Sequence, residues 1–448
     1  VCVCNSTYCD STPEPKPSSP EKGTFHWYVS SRDGLRLSLS KGQMGRCQND
    51  GSLTLNIDTS KRYQTILGFG GAFTDSAGMN IKNLSEATQD QLIRAYFDPK
   101  DGSRYTLGRI PIGGTDFSTR AYTLDDYDDD ATLQHFALAP EDVEYKIPYA
   151  RKAVELNPDL RFFSAAWSAP TWMKTNHKIN GFGKTEYYQT FANYILKFIE
   201  EYKKNGVDIW GVSTGNEPFD AYIPFERLNS MGWTPELVGD WIANNLGPTL
   251  ANSEYNATHI FVLDDQRLGL PWFVNEIFKN EIARNYVYGI AVHWYADILI
   301  PPVVLDQTHN NFPDKNLLMT EACEGNRLVN PIWNCSSKLK SEAWQRGEKY
   351  ILSIIDYMNH WSVGWVDWNM VLDKTGGPTV VNNNLDAPII VNPETDEFYK
   401  QPLYYAIKHV SRFVDRDSFR ISIIDNNSIN STAFLTPSGE TVVVLYNG

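Results

Sequence analysis

Two acidic motifs stand out for their chemistry, Thr214-Gly215-Asn216-Glu217-Pro218 and Thr320-Glu321-Ala322-Cys323. Each follows a short apolar run, Ile209 to Ser213 in the first case and Leu317 to Thr320 in the second, so each glutamate is expected where a strand ends. Pro218 disfavours the helical region for Glu217, which suits a carboxylate held at a strand's last residue rather than on the next helix. Two carboxyl groups from different strands that converge on one mouth meet the needs of glycoside hydrolysis, where one stays protonated as acid and the other ionised as nucleophile. Arg109, Asp116, Trp167, Trp172, His293, Trp294, Tyr295, Trp365 and Trp368 also end or follow apolar runs. Aromatic faces stack on the C–H surfaces of sugars, and polar groups bind hydroxyls. A single tryptophan is more simply a core residue, so the cluster carries the argument.

The elements that must position these residues can be counted. Short apolar strands alternate with amphipathic helices between Gln64 and Asn369, at Ile66 to Gly70, Thr106 to Ile110, Leu160 to Ala165, Ile209 to Ser213, Ile260 to Leu263, Gly289 to Val292, Leu317 to Thr320 and Gly364 to Asp367. Phe191, Tyr194, Ile195, Phe198, Ile199 and Tyr202 fall at the spacing of one buried helical stripe. Eight such units point to an α/β protein built on a (β/α)8 barrel, whose chemistry sits at the strand ends. Upstream, Leu35, Leu37 and Leu39, then Leu53, Leu55 and Ile57, alternate with polar residues as antiparallel strands with one wet face do. Residues 11 to 22 read as a linker, Tyr399 to Phe413 as a last helix, and Arg420 to Tyr446 as strands turning at Asp425-Asn426-Asn427 and Pro437-Ser438-Gly439. The two β-rich ends are expected to pack together.

Composition narrows the class. Hydrophobic residues at 42% and charged residues at 21%, with no apolar run of transmembrane length, exclude disordered, collagen-like and membrane-spanning chains. A net charge of -14 repels phosphate backbones, so nucleic acid is not an expected partner, and acid pH would relieve the self-repulsion. Cys2, Cys4 and Cys9 crowd the first nine residues around a glycosylation sequon, which marks a disulfide-stapled secretory segment rather than a zinc knuckle, since no second ligand pair follows. Cys4 and Cys9 are expected to pair, leaving Cys2 to a partner upstream of residue 1. Sequons at Asn5, Asn83, Asn256, Asn334, Asn426 and Asn430 agree with secretory passage. The apolar stretch from Thr441 to Tyr446 stops short at Gly448, and the chain reads as truncated at both ends.

Longer motifs add a resemblance. Gly68-Phe69-Gly70-Gly71-Ala72-Phe73-Thr74-Asp75, Ser168-Ala169-Pro170-Thr171-Trp172-Met173-Lys174-Thr175-Asn176, Asn216-Glu217-Pro218, Leu263-Asp264-Asp265-Gln266-Arg267, Val292-His293-Trp294-Tyr295, Thr320-Glu321-Ala322-Cys323 and Gly364-Trp365-Val366-Asp367-Trp368-Asn369 closely resemble glycoside hydrolase family 30, in its branch that cleaves glucosylceramide. The likeness includes the cysteine-rich start and spans nearly the whole chain.

The resemblance implies a (β/α)8 TIM barrel over residues 62–369 with 403–417. It also implies a β-sandwich over 27–61 with 418–448, and a small antiparallel β-sheet domain over 1–26 with 370–402. It implies a retaining reaction with Glu217 as acid/base and Glu321 as nucleophile. By the same matching, Asp116, Trp167, Asn216 and Trp368 hold the glucose, Arg109 and His293 surround the nucleophile, and Tyr222, Tyr295 and Asn383 are carried over from the loops. The implied setting is the lysosomal lumen, with glucosylceramide and related β-glucosides as substrates, a saposin-type activator and an anionic lipid surface as partners, and no cofactor. The sequence departs from the vertebrate pattern around Gly181 to Thr185, after Gly325, and between Phe219 and Trp233, all in loops that shape the aglycone entrance.

Other readings fare worse. Gly211-Val212-Ser213-Thr214-Gly215 matches a serine-hydrolase elbow, but Asn216-Glu217-Pro218 stands where the elbow's helix should start. Gly68-Phe69-Gly70-Gly71 lacks the third glycine of a dinucleotide fingerprint, no Walker lysine exists, and the eight histidines show no metal spacing. Two rivals remain: a same-fold retaining enzyme acting on xylan or galactosides, and an inactive glycan-binding relative.

Overall fold

Eight short parallel strands, the first seven each followed by helical connections, close on one another in chain order. They are β1 (Gly68–Ala72), β2 (Leu107–Ile112), β3 (Arg161–Ala166), β4 (Ile209–Ser213), β5 (His259–Gln266), β6 (Val287–His293), β7 (Asn316–Glu321) and β8 (Ser362–Asn369). β8 pairs with β1, so the sheet has no free edge. The computed structural model describes residues 1–13, 19–45, 54–223, 228–325, 343–424 and 429–448. The expected strand count and order hold. The strands run further toward the active rim than the apolar runs suggest, because β5 continues through Gln266 and β7 through Glu321.

The helix Tyr188–Lys204 buries Phe191, Tyr194, Ile195, Phe198, Ile199 and Tyr202 on one stripe, as its spacing requires. The last helix is shorter than expected. It spans Pro402–Ser411 with Pro402 in its first turn, while Tyr399 belongs to the strand Glu397–Lys400. That strand pairs with Cys2–Cys4 on one side and Ile389–Asn392 on the other, partners that no local pattern reveals. Val371–Asp373 completes this small sheet through a parallel pairing. Cys4 and Cys9 are joined by a disulfide, and Cys2 is buried with its thiol free.

At the other β-rich end, Asn56–Thr65 pairs with Phe419–Ile424, which continues through Asn430–Leu435 to Thr441–Tyr446. The turn at Pro437 to Gly439 forms as expected, with Gly439 at φ +85°. The turn at residues 425–427 and the sequons at Asn334 and Asn426 lie outside the described residues, whereas Asn83, Asn256 and Asn430 are exposed and Asn5 is partly so. Leu35 and Leu37 are not strand residues. The hairpin pairs Thr24–Val29 with Ser38–Gln43, and the Asp33-Gly34 turn delays the second strand past Leu37, which is buried at φ +45°.

Candidate active site

Side chains alternate along a strand, so two residues of travel carry the barrel interior from one layer to the next. Leu107, Phe163, Phe261, Ala291, Leu318 and Val366 form one buried apolar cluster. Two positions on, the same strands present Arg109, Ala165, His293, Thr320 and Trp368.

Two irregularities set the upper layer. Leu263 pairs with Ala291 and Asp265 with Val292, so Asp264 is an extra residue in β5. Likewise Met319 pairs with Val292 and Glu321 with His293, which leaves Thr320 extra in β7. These bulges re-aim the side chains at the rim. Leu263 and Asp264 take φ +72° and +49°, and Thr320 Oγ1 donates to Asp264 Oδ1 at 2.7 Å, so one bulge holds the other.

Arg109 is the centre of the cluster and is fully buried. Its guanidinium donates to Glu321 Oε2, to Asn216 Oδ1 at 2.8 Å and to Asp264 Oδ2 at 2.9 Å, and it lies 4.9 Å from the Trp167 ring centroid. Burial would raise the Asp264 carboxyl, but Arg109 and then His293 beside it hold it well below the ordinary range. The other Glu321 oxygen accepts from the Tyr295 hydroxyl at 2.8 Å, and that hydroxyl lies 3.2 Å from Cys323 Sγ.

Glu217 sits four residues past the end of β4, not on its last residue, at φ +41° and ψ +63°. Its N–H donates to the Asp264 carbonyl at 2.9 Å, which holds this uncommon left-handed conformation. Its Oε1 accepts from Gln266 Nε2 at 2.7 Å and from His293 Nδ1 at 2.8 Å. His293 Nε2 is 3.1 Å from Asp264 Oδ1. Burial alone would lower the His293 pKa, but Glu321, Asp264 and Glu217 push it up to about 10, so both ring nitrogens donate. Burial pushes the Glu217 carboxyl up to about 7, against the pull of His293 and with help from the Glu321 charge. One oxygen each of Glu217 and Glu321 and one nitrogen of His293 all lie within 4.8 Å of one another. The nearest oxygens of the two carboxyl groups are thus close, in keeping with the nearer placement that retaining glycosidases use.

Residues 66–414 match the glycosyl hydrolase family 30 TIM-barrel domain, and residues 417–448 match the beta sandwich domain of the same family. The chain belongs to glycoside hydrolase family 30. It is 40% identical to the lysosomal acid glucosylceramidase of Mus musculus, over 100% of this chain and 87% of the mouse protein. It is also 40% identical to putative glucosylceramidase 2 of Caenorhabditis elegans, over 100% of this chain and 86% of that protein. Among solved structures, SrfJ from Salmonella typhimurium superposes with a TM-score of 0.85 at 27% identity, covering 95% of this chain and 92% of its own. The protein is thus a glycosidase with the family's barrel and β-sandwich.

In this family 30 chain most of the expected site residues converge. Trp167 and Trp368 stack with centroids 5.1 Å apart beside Arg109. Asn383 Nδ2 donates to Asp116 Oδ2 at 2.7 Å, and burial together with the Glu321 charge pushes the Asp116 carboxyl up to about 7. Tyr222 does not join them: it is 51% exposed and its hydroxyl donates to the Trp233 carbonyl. Trp172, Trp294 and Trp365 pack elsewhere, against the Asp125 carbonyl, the Cys323 carbonyl with the Tyr350 ring, and Ser353 respectively. Ser213 caps the Gly215 N–H at 3.0 Å, and the next helical turn is the short 3-10 segment Pro218–Tyr222 rather than an α-helix starting at the serine, which removes the serine elbow. Asp264, Gln266 and Thr320 have no role of their own in the sequence motifs, yet they join the network of the two glutamates. The signal was present in Asp264-Asp265-Gln266 at a strand end, but the bulge that aims Asp264 inward has no local signature.

Proposed function

We propose that this glycosidase is a retaining β-glucosidase that hydrolyses glucosylceramide to glucose and ceramide by double displacement. The observation that carries the reading is a pair of closely placed carboxyl groups in opposite surroundings. Arg109 and Tyr295 donate to the two oxygens of Glu321 and stabilise its negative charge, so Glu321 is the nucleophile. Glu217, pushed up to about 7, keeps its proton in mild acid and delivers it to the leaving oxygen. Once Glu321 is esterified its charge is gone and no longer opposes ionisation of Glu217, which then acts as base toward water. Trp167, Trp368, Asp116, Asn383 and Asn216 form the seat for the sugar, with Asp116 and Asn383 aimed at its hydroxyls.

The full-length likeness to the mouse enzyme supports ceramide as aglycone and the lysosomal lumen as the place of action. No helix among the described residues is long and apolar enough to cross a membrane. The rim loops after β5 and β6 expose Leu268 at 54%, Trp272 at 50%, and Ile298 and Leu299 at 76% each. These side chains suit a peripheral approach to an anionic lipid surface, aided by a saposin-type activator, and the -14 charge opposes that approach less as carboxylates protonate.

Two measurements test the reading. A mechanism-based β-glucosyl inhibitor should esterify Glu321, and among β-glucosyl, β-galactosyl and β-xylosyl aryl glycosides the glucoside should turn over fastest. Labelling of another residue, or a preference for xyloside or galactoside, overturns it. On anionic vesicles, binding and glucosylceramide turnover should both be better in acid than at neutral pH, and the reverse order removes the lysosomal placement.

A further inference from the structure

The amide of Gln266 stands between the Glu217 carboxyl and the loop that follows β6, and its orientation is not free. The Ala296 backbone N–H can only donate, and it lies 3.1 Å from Gln266 Oε1. The carbonyl side of the amide must face Ala296, so its NH2 side must face Glu217 Oε1, 2.7 Å away. His293 Nδ1 donates to the same Glu217 oxygen at 2.8 Å, from the neighbouring strand β6. A neutral carboxyl accepts at its carbonyl oxygen and carries its proton on the other. One donor would leave the carboxyl free to pivot, since the terminal torsion of glutamate is broad. Two donors from β5 and β6 on a single oxygen fix its plane and leave Oε2 for the proton.

We infer that Gln266 is a positioning residue that assigns the transferable proton to Glu217 Oε2, and that the main chain at Ala296 sets Gln266 in turn. The inference rests on the acid/base reading of Glu217. It also ties that proton to the apolar rim. Arg267, next to Gln266, donates to the Asp297 carbonyl at 2.9 Å and lies 2.9 Å from the Asp297 carboxyl group, so the loop bearing Ile298 and Leu299 is clamped to the end of β5 at adjacent residues.

The charged groups that face Glu217 are His293 on β6, Glu321 on β7 and Asp265 on β5. His293 favours the ionised carboxyl and the two acids disfavour it. A donor on Oε1 also favours the ionised form, so its loss should move the Glu217 titration to higher pH. Gln266→Ala removes the donor. Gln266→Glu keeps the shape and can still accept from Ala296, but it places a like charge beside Glu217 and should move the titration further.

The experiment is the pH dependence of kcat/KM for aryl β-glucosides of graded leaving-group ability, with the purified protein, both Gln266 variants and Glu217→Ala. Melting temperatures should be measured alongside. Both Gln266 variants should lose roughly 10- to 100-fold on a phenol-type leaving group but less than about 3-fold on a dinitrophenyl one, with the alkaline limb shifted up. Equal losses on both substrates with an unmoved limb would reduce Gln266 to a packing role and overturn the inference, as would wild-type behaviour of both variants. If Glu217→Ala itself shows no leaving-group dependence, the acid/base reading fails instead, and the two failures are distinct.

Discussion

The lower and upper layers of the barrel interior are built by the same strands two residues apart, yet they obey different rules. In the lower layer Phe261 fills the space between β4 and β6 because Gly211 and Gly289 leave it. A Cβ at those glycines would come within 3.0 and 2.8 Å of its ring. That layer is close-packed and free of charge, which makes the barrel a solid core rather than a pore. The upper layer holds Arg109, Asp264, His293, Glu217 and Glu321 in one hydrogen-bonded set, with bulges in β5 and β7 and left-handed residues at Leu263, Asp264 and Glu217. Buried charge and uncommon backbone are costly, and they persist where surrounding structure over-determines them. The apolar layer supplies that structure.

The largest way to break this contrast is Glu321→Gln. It should cut turnover by on the order of 10⁴-fold or more whatever the leaving group, while the circular dichroism spectrum of the folded protein stays unchanged. A loss that vanished with an activated leaving group would mean that Glu321 does not form the covalent bond.

A lower-layer substitution should do the opposite. Phe261→Ala removes a fully buried ring from the apolar cluster and should cost about 3 to 5 kcal/mol of stability, seen as a lower melting temperature. The pH limbs of the remaining activity should not move. If they moved, the two layers would not be separable.

The smallest effect is on stability against pH, and its sign follows from the upper layer. Burial raises Glu217, Asp116 and Asp265 to about 7 and Asp297 to about 8. Between the ordinary carboxyl pKa and those values the unfolded chain has released protons that the folded one keeps, so stability falls as pH rises from about 4 to about 8. His293, raised to about 10, acts in the same direction: its contribution is complete below about 6.5 and is lost as pH rises toward 10. Buried bases pull the other way. Burial lowers His409 to about 4, and His259 and His309 in the same direction, which weakens the fold below about 6.5; it lowers Lys174 to about 7 and Lys408 well below its ordinary value, which favours the fold at higher pH. The net expectation is a melting temperature several degrees higher at pH 5 than at pH 8. A higher value at pH 8 would show that the buried carboxyls do not govern stability.

Much of this protein is local and therefore legible in its residues. The Phe191 to Tyr202 stripe is helical because 3.6-residue spacing puts its apolar groups on one face, and the barrel strands read as apolar runs because both their faces are covered. Glu217 and Glu321 announce themselves by following such runs, and the longer motifs around them bring the family resemblance.

What the tertiary structure alone decided is register and partnership. Tyr399 is a strand residue because Val3 pairs with it from the far end of the chain. Asp264 reaches Arg109 because β5 has one residue more than β6 at that level, and Tyr222 turns away because Trp233 offers its hydroxyl a carbonyl. Which Glu217 oxygen meets Gln266 and His293 is fixed by two strands lying side by side. Periodicity is a property of neighbours in sequence, whereas a bulge, a shared oxygen or a buried ion pair is a property of neighbours in space, and only the closed barrel makes those residues neighbours.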